Sequence, residues 1–453
     1  VMQDRFETSN HSNPDVPSEA SDKSSRRDFM VKGSVAASTV GAAAMHVPAV
    51  HAADAAAANT ELVRIGIVGL GGRGSGALSD TMTINENIKL VATADIDPGK
   101  ATGILPRLQK TFGEKVSVDA SKNYVGIDAY KRILDDPEID LVLMTTPPGF
   151  RPTYVMEAVQ AGKHVFAEKP SCVDPTGYRT CLAAHQLAKE NGTAIVTGTQ
   201  YRRQTNYVEA IRRIHEGAIG DVINMTARYC STGIWYRARK EGMSDTQYQI
   251  YNWMHFVWLS GDQIAEQAVH NVDVMNWVMG GPPESAYAGG GRFTRPDDSE
   301  MWDNMSVDFS YSGDRQVSFM CRQIRGTQSE VGNRIYGSNG SATILGSNGG
   351  AMIYDKSGNE IWSMKGNIQD AYRQEHKDLV DSIRAGNPIV ELKDTADSSM
   401  TAVLGRTAAY TGQKVDWSFL TEESKQDLFP ADFDYEGSRP ESSFAVPGET
   451  KLI

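Results

Sequence analysis

The sequence predicts a two-domain α/β fold: an N-terminal doubly wound parallel sheet, then an α/β domain built on a large, open, mostly antiparallel sheet. Three observations predict it. Strand-like and helix-like segments alternate from Leu62 to about residue 200. A glycine turn joins the first strand to the first helix. After residue 206 the pattern changes to consecutive strand-like runs parted by short Gly, Asn and Ser turns. Alternation makes a parallel sheet with covered faces, and consecutive strands with short turns pair antiparallel. The expected division is leader and linker over 1–60, the first domain over 61–200, the second over 201–424 and an irregular tail over 425–453.

The first stretch, LVRIGIVGLGGRGSGALSDTMTINENIKLVATADID, carries the strongest signal. Val63 to Val68 is a short, apolar, β-branched run, as a buried parallel strand requires. Gly69, Gly71 and Gly74 give G-x-G-x-x-G. The first glycine allows the tight turn, the second lets backbone amides approach a pyrophosphate, and the third lets the helix pack against the strand. The helix presents its partially positive N-terminus to the phosphates. A second strand, Lys89 to Ala94, ends at Asp95, where a carboxylate accepts from both adenosine ribose hydroxyls and repels a 2′-phosphate. NAD is therefore favoured over NADP.

The remaining elements follow in order. Helix is expected over Pro98 to Phe112 and from Tyr130, and a buried strand over Asp140 to Met144. That strand ends in Thr145-Thr146-Pro147-Pro148, at the ligand-binding edge of a doubly wound sheet. A helix from Thr153 stops at Gly162, a strand runs Lys163 to Ala167, and Glu168-Lys169-Pro170 follows. Tyr178 to Asn191 reads as helix and Ala194 to Thr197 as strand. In the second domain, helices are expected over Asn206 to Glu216, Ile264 to Met279, Ala371 to Arg384 and Asp397 to Thr411. Strands are expected at Val222 to Tyr229, Ala286 to Gly290, Asn304 to Tyr311, Gln316 to Arg322, Arg334 to Tyr336, Ala342 to Leu345 and Ala351 to Tyr354.

The first sixty residues read as an address rather than a fold. Val1 to Lys23 is polar and expected to be disordered. Ser25-Arg26-Arg27-Asp28-Phe29-Met30, a mildly apolar run to Met45 and the small-residue site Val50-His51-Ala52 have the form of a twin-arginine export signal. The run is too weak for a stable membrane span, so the expected location is the periplasm or another destination of twin-arginine export. The net charge of −12 argues against a nucleic-acid partner. The cysteines, Cys172, Cys181, Cys230 and Cys321, form no C-x-x-C and read as small buried side chains.

Two groups of residues carry candidate chemistry. A lysine at position 169, at the carboxyl end of a core strand, can reach the nicotinamide end and orient a substrate hydroxyl, lower its pKa or relay its proton. The alternative is a solvated lysine before a turn. Glu266, His270, Asp273 and Trp277 fall at i, i+4, i+7 and i+11, one face of the expected helix. A histidine with a carboxylate one turn away is an acid–base pair. The alternatives are a surface ion-pair row and a metal site, which lacks a third ligand. The Trp- and Tyr-rich stretch from Trp235 to Trp258 is read as a stacking surface for sugar C–H groups, core packing or a subunit interface. Arg202 and Arg203 are read as phosphate or substrate contacts, or as solvated.

The ordered set GIVGLGGRG, VATADID, TTPP, AGKHVFAEKP, EQAVHNVDVMNW and GRTAAYTGQKVDW resembles the glucose–fructose oxidoreductase / inositol dehydrogenase (Gfo/Idh/MocA) family from Arg64 to about Leu420. The resemblance implies an N-terminal Rossmann domain, a C-terminal sheet domain that forms homodimers or homotetramers, and oxidoreductase activity on a sugar or polyol. It places Gly69, Gly71, Gly72, Arg73, Gly74, Asp95, Thr146, Pro147, Glu168 and Lys169 along NAD. Lys169, His270 and Glu266 take catalytic positions, and Lys169, Arg202 and Asp273 face a carbohydrate substrate. Two departures stand out: Glu266 where many members carry Asp, and Arg151 where many carry His. Export of a folded protein into a compartment poor in NAD implies a tightly held cofactor. That leaves open a redox-neutral glycoside hydrolase, lyase or epimerase, and a non-catalytic binding protein.

Overall fold

The computed structural model describes residues 61–439 and 442–453. The disordered leader, export signal and cleavage site expected before residue 61 lie outside the described residues.

The first sheet has six parallel strands: β1 (Val63–Val68), β2 (Ile88–Asp95), β3 (Asn123–Val125), β4 (Leu141–Met144), β5 (His164–Ala167) and β6 (Ile195–Thr197). Their order is β3-β2-β1-β4-β5-β6. The strand order reverses between β1 and β4, and ligands bind outside the carboxyl ends at such a point. The turns after β1 and β4 are joined there, since Thr145 Oγ1 donates to the Gly69 carbonyl at 2.5 Å. β3 was not expected; three residues of mixed polarity, Asn-Tyr-Val, carry no periodicity to read.

The second sheet comprises β7 (Val222–Ser231), β8 (Ser285–Gly291), β9 (Asn304–Tyr311), β10 (Arg315–Gln323), β11 (Glu330–Gly337), β12 (Gly340–Leu345), β13 (Ala351–Asp355), β14 (Glu360–Met364) and β15 (Val415–Asp416). The order is β14-β13-β12-β11-β7-β10-β9-β8-β15. β7 and β10 pair parallel, and the other neighbours pair antiparallel. One face is buried: in β10, Val317, Phe319 and Cys321 point inward, while Met320 is 37% exposed. Helices Val269–Met279 and Leu392–Thr411 pack against this sheet. All four cysteines are buried and none forms a disulfide.

Late segments of the chain return to the first sheet. Leu379 and Val380, on helix Ile368–Arg384, share a core with Ile65, Ile67 and Leu78. The Ile195 amide at the β6 edge donates to the Ile389 carbonyl.

Two expected helices are broken. Pro98 to Phe112 divides into Pro98–Gly103 and Leu105–Phe112. Pro106 has no N–H to donate and its ring clashes one turn back. Ile264 to Met279 divides into Gln263–Glu266 and Val269–Met279. At that break the Glu266 carbonyl accepts from Lys169 Nζ, a side chain entering the helical ladder.

The glycine turn has two kinds of glycine. Gly69 has φ +91°, a conformation that favours glycine. A Cβ on Gly74 would lie 2.1 Å from the Gly69 carbonyl oxygen, whereas Cβ atoms on Gly71 and Gly72 would meet nothing within 4 Å. Gly74→Ala is therefore expected to lower the unfolding free energy by about 1–3 kcal/mol. Gly71→Ala should lose less than about 1 kcal/mol and weaken dinucleotide binding instead. Urea unfolding alongside NAD titration separates the two effects.

Candidate active site

A crevice opens at the switch point. Its walls include Gly69, Gly71, Asp95, Thr146 and Pro147, together with Lys100, Tyr130 and Phe150. Four features fit an adenine dinucleotide. The helix Gly72–Ile84 begins at Gly71 with no side-chain cap, so its first amides remain available to an anion. The space above Gly71 and Gly72 is open. Thr146 Oγ1 is buried without a hydrogen-bond partner. Asp95 is fixed at the end of β2: its Oδ2 accepts from the Leu70 amide at 2.7 Å and its Oδ1 from the Asp97 amide at 2.9 Å.

The chemical end is built where the loop after β5 meets the second domain. Lys169 Nζ donates to the Glu266 carbonyl and lies 3.2 Å from Glu266 Oε1. Gln267 Nε2 donates to Glu266 Oε2 at 2.5 Å, and the Tyr229 hydroxyl on β7 donates to Gln267 Oε1 at 3.3 Å. A chain of polar groups thus holds the Glu266 carboxylate beside Lys169. His270 stands in the first turn of helix Val269–Met279, with Nδ1 buried and without a partner. Burial, then the positive charges of Lys169 and Arg73, push its pKa well below the usual imidazole value. The ring is neutral at physiological pH and competent to accept a proton.

Arg73 and Glu168, both expected along the cofactor, bind each other. Arg73 Nε donates to Glu168 Oε1, and its Nη2 lies 3.5 Å from the buried Glu375. Burial would raise the Glu168 pKa, but Arg73, Lys169 and Arg151 together hold it below the ordinary carboxylate value. Burial pushes the Glu375 pKa well above the ordinary carboxylate value, against the pull of Arg73.

The expected acid–base pairing of His270 is corrected by the structure. Glu266 lies on the other side of the helix break and serves Lys169. Asp273 pairs with Arg202, whose Nε and Nη2 donate to its two oxygens at 2.9 and 2.8 Å, and Ser398 Oγ also donates to it at 2.8 Å. These two expected substrate contacts neutralise each other, and the Arg202 guanidinium stacks over Trp277 at 5.5 Å. Arg203 pairs with Glu391 at 2.7 Å and Asp378 at 3.2 Å. Of the three readings of the aromatic stretch, Trp258 realises core packing, against Phe150, Phe429 and Phe433.

Several contributors carry no sequence signal. Arg151, noticed only as a departure, is fully buried and donates to the carbonyls of Thr146 and Pro170, clamping the loops after β4 and β5. Burial lowers its pKa to about 10. Tyr229, Gln267 and Glu375 sit where ordinary strand and helix residues are expected. Ile250 and Trp253 reach the crevice from the second domain.

Residues 63–199 match the model of an oxidoreductase family with an NAD-binding Rossmann fold, and residues 207–343 match the GFO/IDH/MocA C-terminal domain. The chain belongs to the GFO/IDH/MocA family. Residues 16–52 match the TAT signal of the ubiquinol–cytochrome c reductase Fe-S subunit. An inositol 2-dehydrogenase/D-chiro-inositol 3-dehydrogenase of Lactiplantibacillus plantarum is 26% identical over 223 residues, 49% of this chain and 54% of the relative. The chain spans about half the length of the first curated relatives it matches. The apo scyllo-inositol dehydrogenase of Lactobacillus casei superposes with a TM-score of 0.60 at 18% identity, covering 79% of this chain and 99% of that one. A levoglucosan dehydrogenase in complex with NADH and levoglucosan gives 0.62 at 17%, with the same coverage. These structures share the fold: a parallel Rossmann-type sheet followed by a mostly antiparallel one.

Removing the Asp273 charge should leave Arg202 buried without its bidentate partner. Asp273→Asn is expected to lower the unfolding free energy by about 3 kcal/mol, measured by urea denaturation at pH 7.

Proposed function

We propose that the protein oxidises a secondary hydroxyl of a sugar or polyol, with NAD as the resident hydride acceptor. The observation that carries this reading is a Lys169 ammonium from the first domain, fastened to Glu266 of the second, whose charge acts on a buried, neutral His270, together with a crevice suited to a dinucleotide. The names of the inositol and levoglucosan dehydrogenase relatives support the substrate class. The Asp95 carboxylate supports NAD, although Lys100 lines the same crevice. The match to a TAT signal supports twin-arginine export.

NAD, when bound, supplies the site that takes up the hydride. The chain's own residues do the rest. The Lys169 ammonium binds the substrate oxygen and stabilises negative charge developing on it. The imidazole of His270 accepts the hydroxyl proton. Glu266, steadied by Gln267 and Tyr229, holds Lys169 in place and fixes the distance between the two domains. Arg151 positions the Thr146 loop against the Lys169 loop.

Lys169→Ala and His270→Ala are each expected to lower kcat by about 10²–10⁴-fold, read as the rate of bound NADH formation at 340 nm. Variants with wild-type turnover would remove the assignment. The acid limb of kcat/KM belongs to His270. Because its pKa is depressed, the base stays neutral as pH falls through about 6.5, the ordinary imidazole value. Activity should therefore hold through that pH and fall only below it, and the limb should vanish in the residual activity of His270→Ala.

Export in a folded state favours a second reading for the same site. A cofactor that cannot exchange must be regenerated within each cycle, by reducing a second sugar or by returning the hydride to the first. Aryl glycosides incubated with desalted protein and no added NAD distinguish these. Aglycone release with the bound NAD unchanged at the end identifies a redox-neutral glycosidase or lyase, and no release keeps net oxidoreduction.

A further inference from the structure

We infer that the second domain and the C-terminal tail close over the adenosine end of the dinucleotide, making it a resident group rather than an exchanging one. The inference rests on the dinucleotide reading above and adds to it which parts of the chain retain the cofactor.

The crevice is not bounded by the first domain alone. Ile250 and Trp253 line it together with Ile127 and Tyr130, residues beyond β3. An adenine or ribose placed beside Asp95 would thus meet apolar side chains from both domains. Ile250 lies on the helix Asp245–Tyr251, and Trp253 just after it. Seven residues form a short helix with little stability of its own, so something else must hold it over the crevice.

The tail does so. Ser244 Oγ, at the cap of that helix, donates to the Tyr435 carbonyl at 2.8 Å. The Thr246 amide donates to the Gly437 carbonyl at 3.3 Å, and the Arg439 amide donates to Asp245 Oδ2 at 3.1 Å. The backbone of residues 435–439 is therefore fastened along the N-terminal turn of the helix.

The same tail is anchored to the first domain. The Leu428 amide donates to Asp174 Oδ2 at 2.8 Å. The rings of Phe429 and Phe433 lie 5.5 and 5.8 Å from that of Phe150, which is itself a crevice wall. Between these fastenings, burial and then the charges of Glu436, Asp95 and Asp97 raise the pKa of the Tyr435 phenol. The tail thus ties the roof of the adenosine site to its floor. Release of the cofactor requires the aromatic contacts and the backbone bonds to open together, which slows dissociation more than it strengthens any single contact.

The test times cofactor release. Full-length protein is loaded with NAD, desalted, denatured in part to count bound NAD, and otherwise diluted into an excess of an enzyme that consumes free NAD. Wild type is compared with Trp253→Ala and Phe433→Ala, which alter the roof and the tail separately, so that a folding defect in one leaves the other to decide. Wild type is expected to keep NAD through desalting, and each folded variant to release it about tenfold faster or more. If wild type binds NAD but loses it on desalting, or if the folded variants retain it as long as wild type, the enclosure is wrong and the dinucleotide reading stands. If wild type does not bind NAD at all, both fall.

Discussion

The structure turns on one contact, the ammonium of Lys169 against the carbonyl and carboxylate of Glu266. It is made between the end of a parallel strand in the first domain and a helix end in the second. A backbone carbonyl that would otherwise continue a helix accepts from a side chain instead, and the helix stops. The next helix starts afresh at Val269, which puts His270 in its first turn beside Lys169. One hydrogen bond thus spans the two domains and falls at the helix break. Charge makes the contact strong, and partial burial at both side chains, 12% and 10% exposed, keeps water from competing for it.

Around this contact the charges are arranged in closed sets. Arg73 is shared by Glu168 and Glu375, Arg202 by Asp273 and Asp394, and Arg203 by Glu391 and Asp378. None of these carboxylates reaches the free Nδ1 of His270. The imidazole feels burial and two cations instead, which is why it is neutral. A histidine paired with Glu266, the carboxylate one turn away in sequence, would have its ring oriented and its pKa raised. Here Glu266 is engaged by Lys169 instead.

How much of this was legible in the sequence depended on the range of the interactions. The glycine turn, the apolar strands and Asp95 are local patterns with a fixed spacing, and each lies where the pattern put it. Gly74 is an instance: its missing Cβ is demanded by a carbonyl only five residues away. The face assigned to Glu266, His270 and Asp273 failed because helical spacing assumes an unbroken helix, and the break comes from Lys169, 97 residues earlier. Arg202 and Asp273 are separated by 71 residues and each, alone, reads as a ligand contact. Helix Ile368–Arg384 reads as part of the second domain, yet Leu379 and Val380 complete the first core. Periodicity reports that a face is buried, not against what.

The roof we infer over the adenosine site would bear on the chemistry as well as on binding. An enzyme that exchanges NAD draws its driving force from the free pool, so net oxidation of one substrate suffices. An enzyme whose NAD is held by Ile250, Trp253 and the 425–439 tail has no such pool, and its nicotinamide must be restored at the same site. The restoring hydride donor or acceptor then has to fit the same Lys169 and His270. Both partners of such a cycle would present a hydroxyl or its carbonyl to one ammonium and one imidazole. That requirement favours closely related sugars, or two states of a single sugar, over a pair of unlike substrates. On that inference the tail and the Lys169–His270 pair would answer one constraint: a cofactor held permanently must be both reduced and reoxidised at the same site.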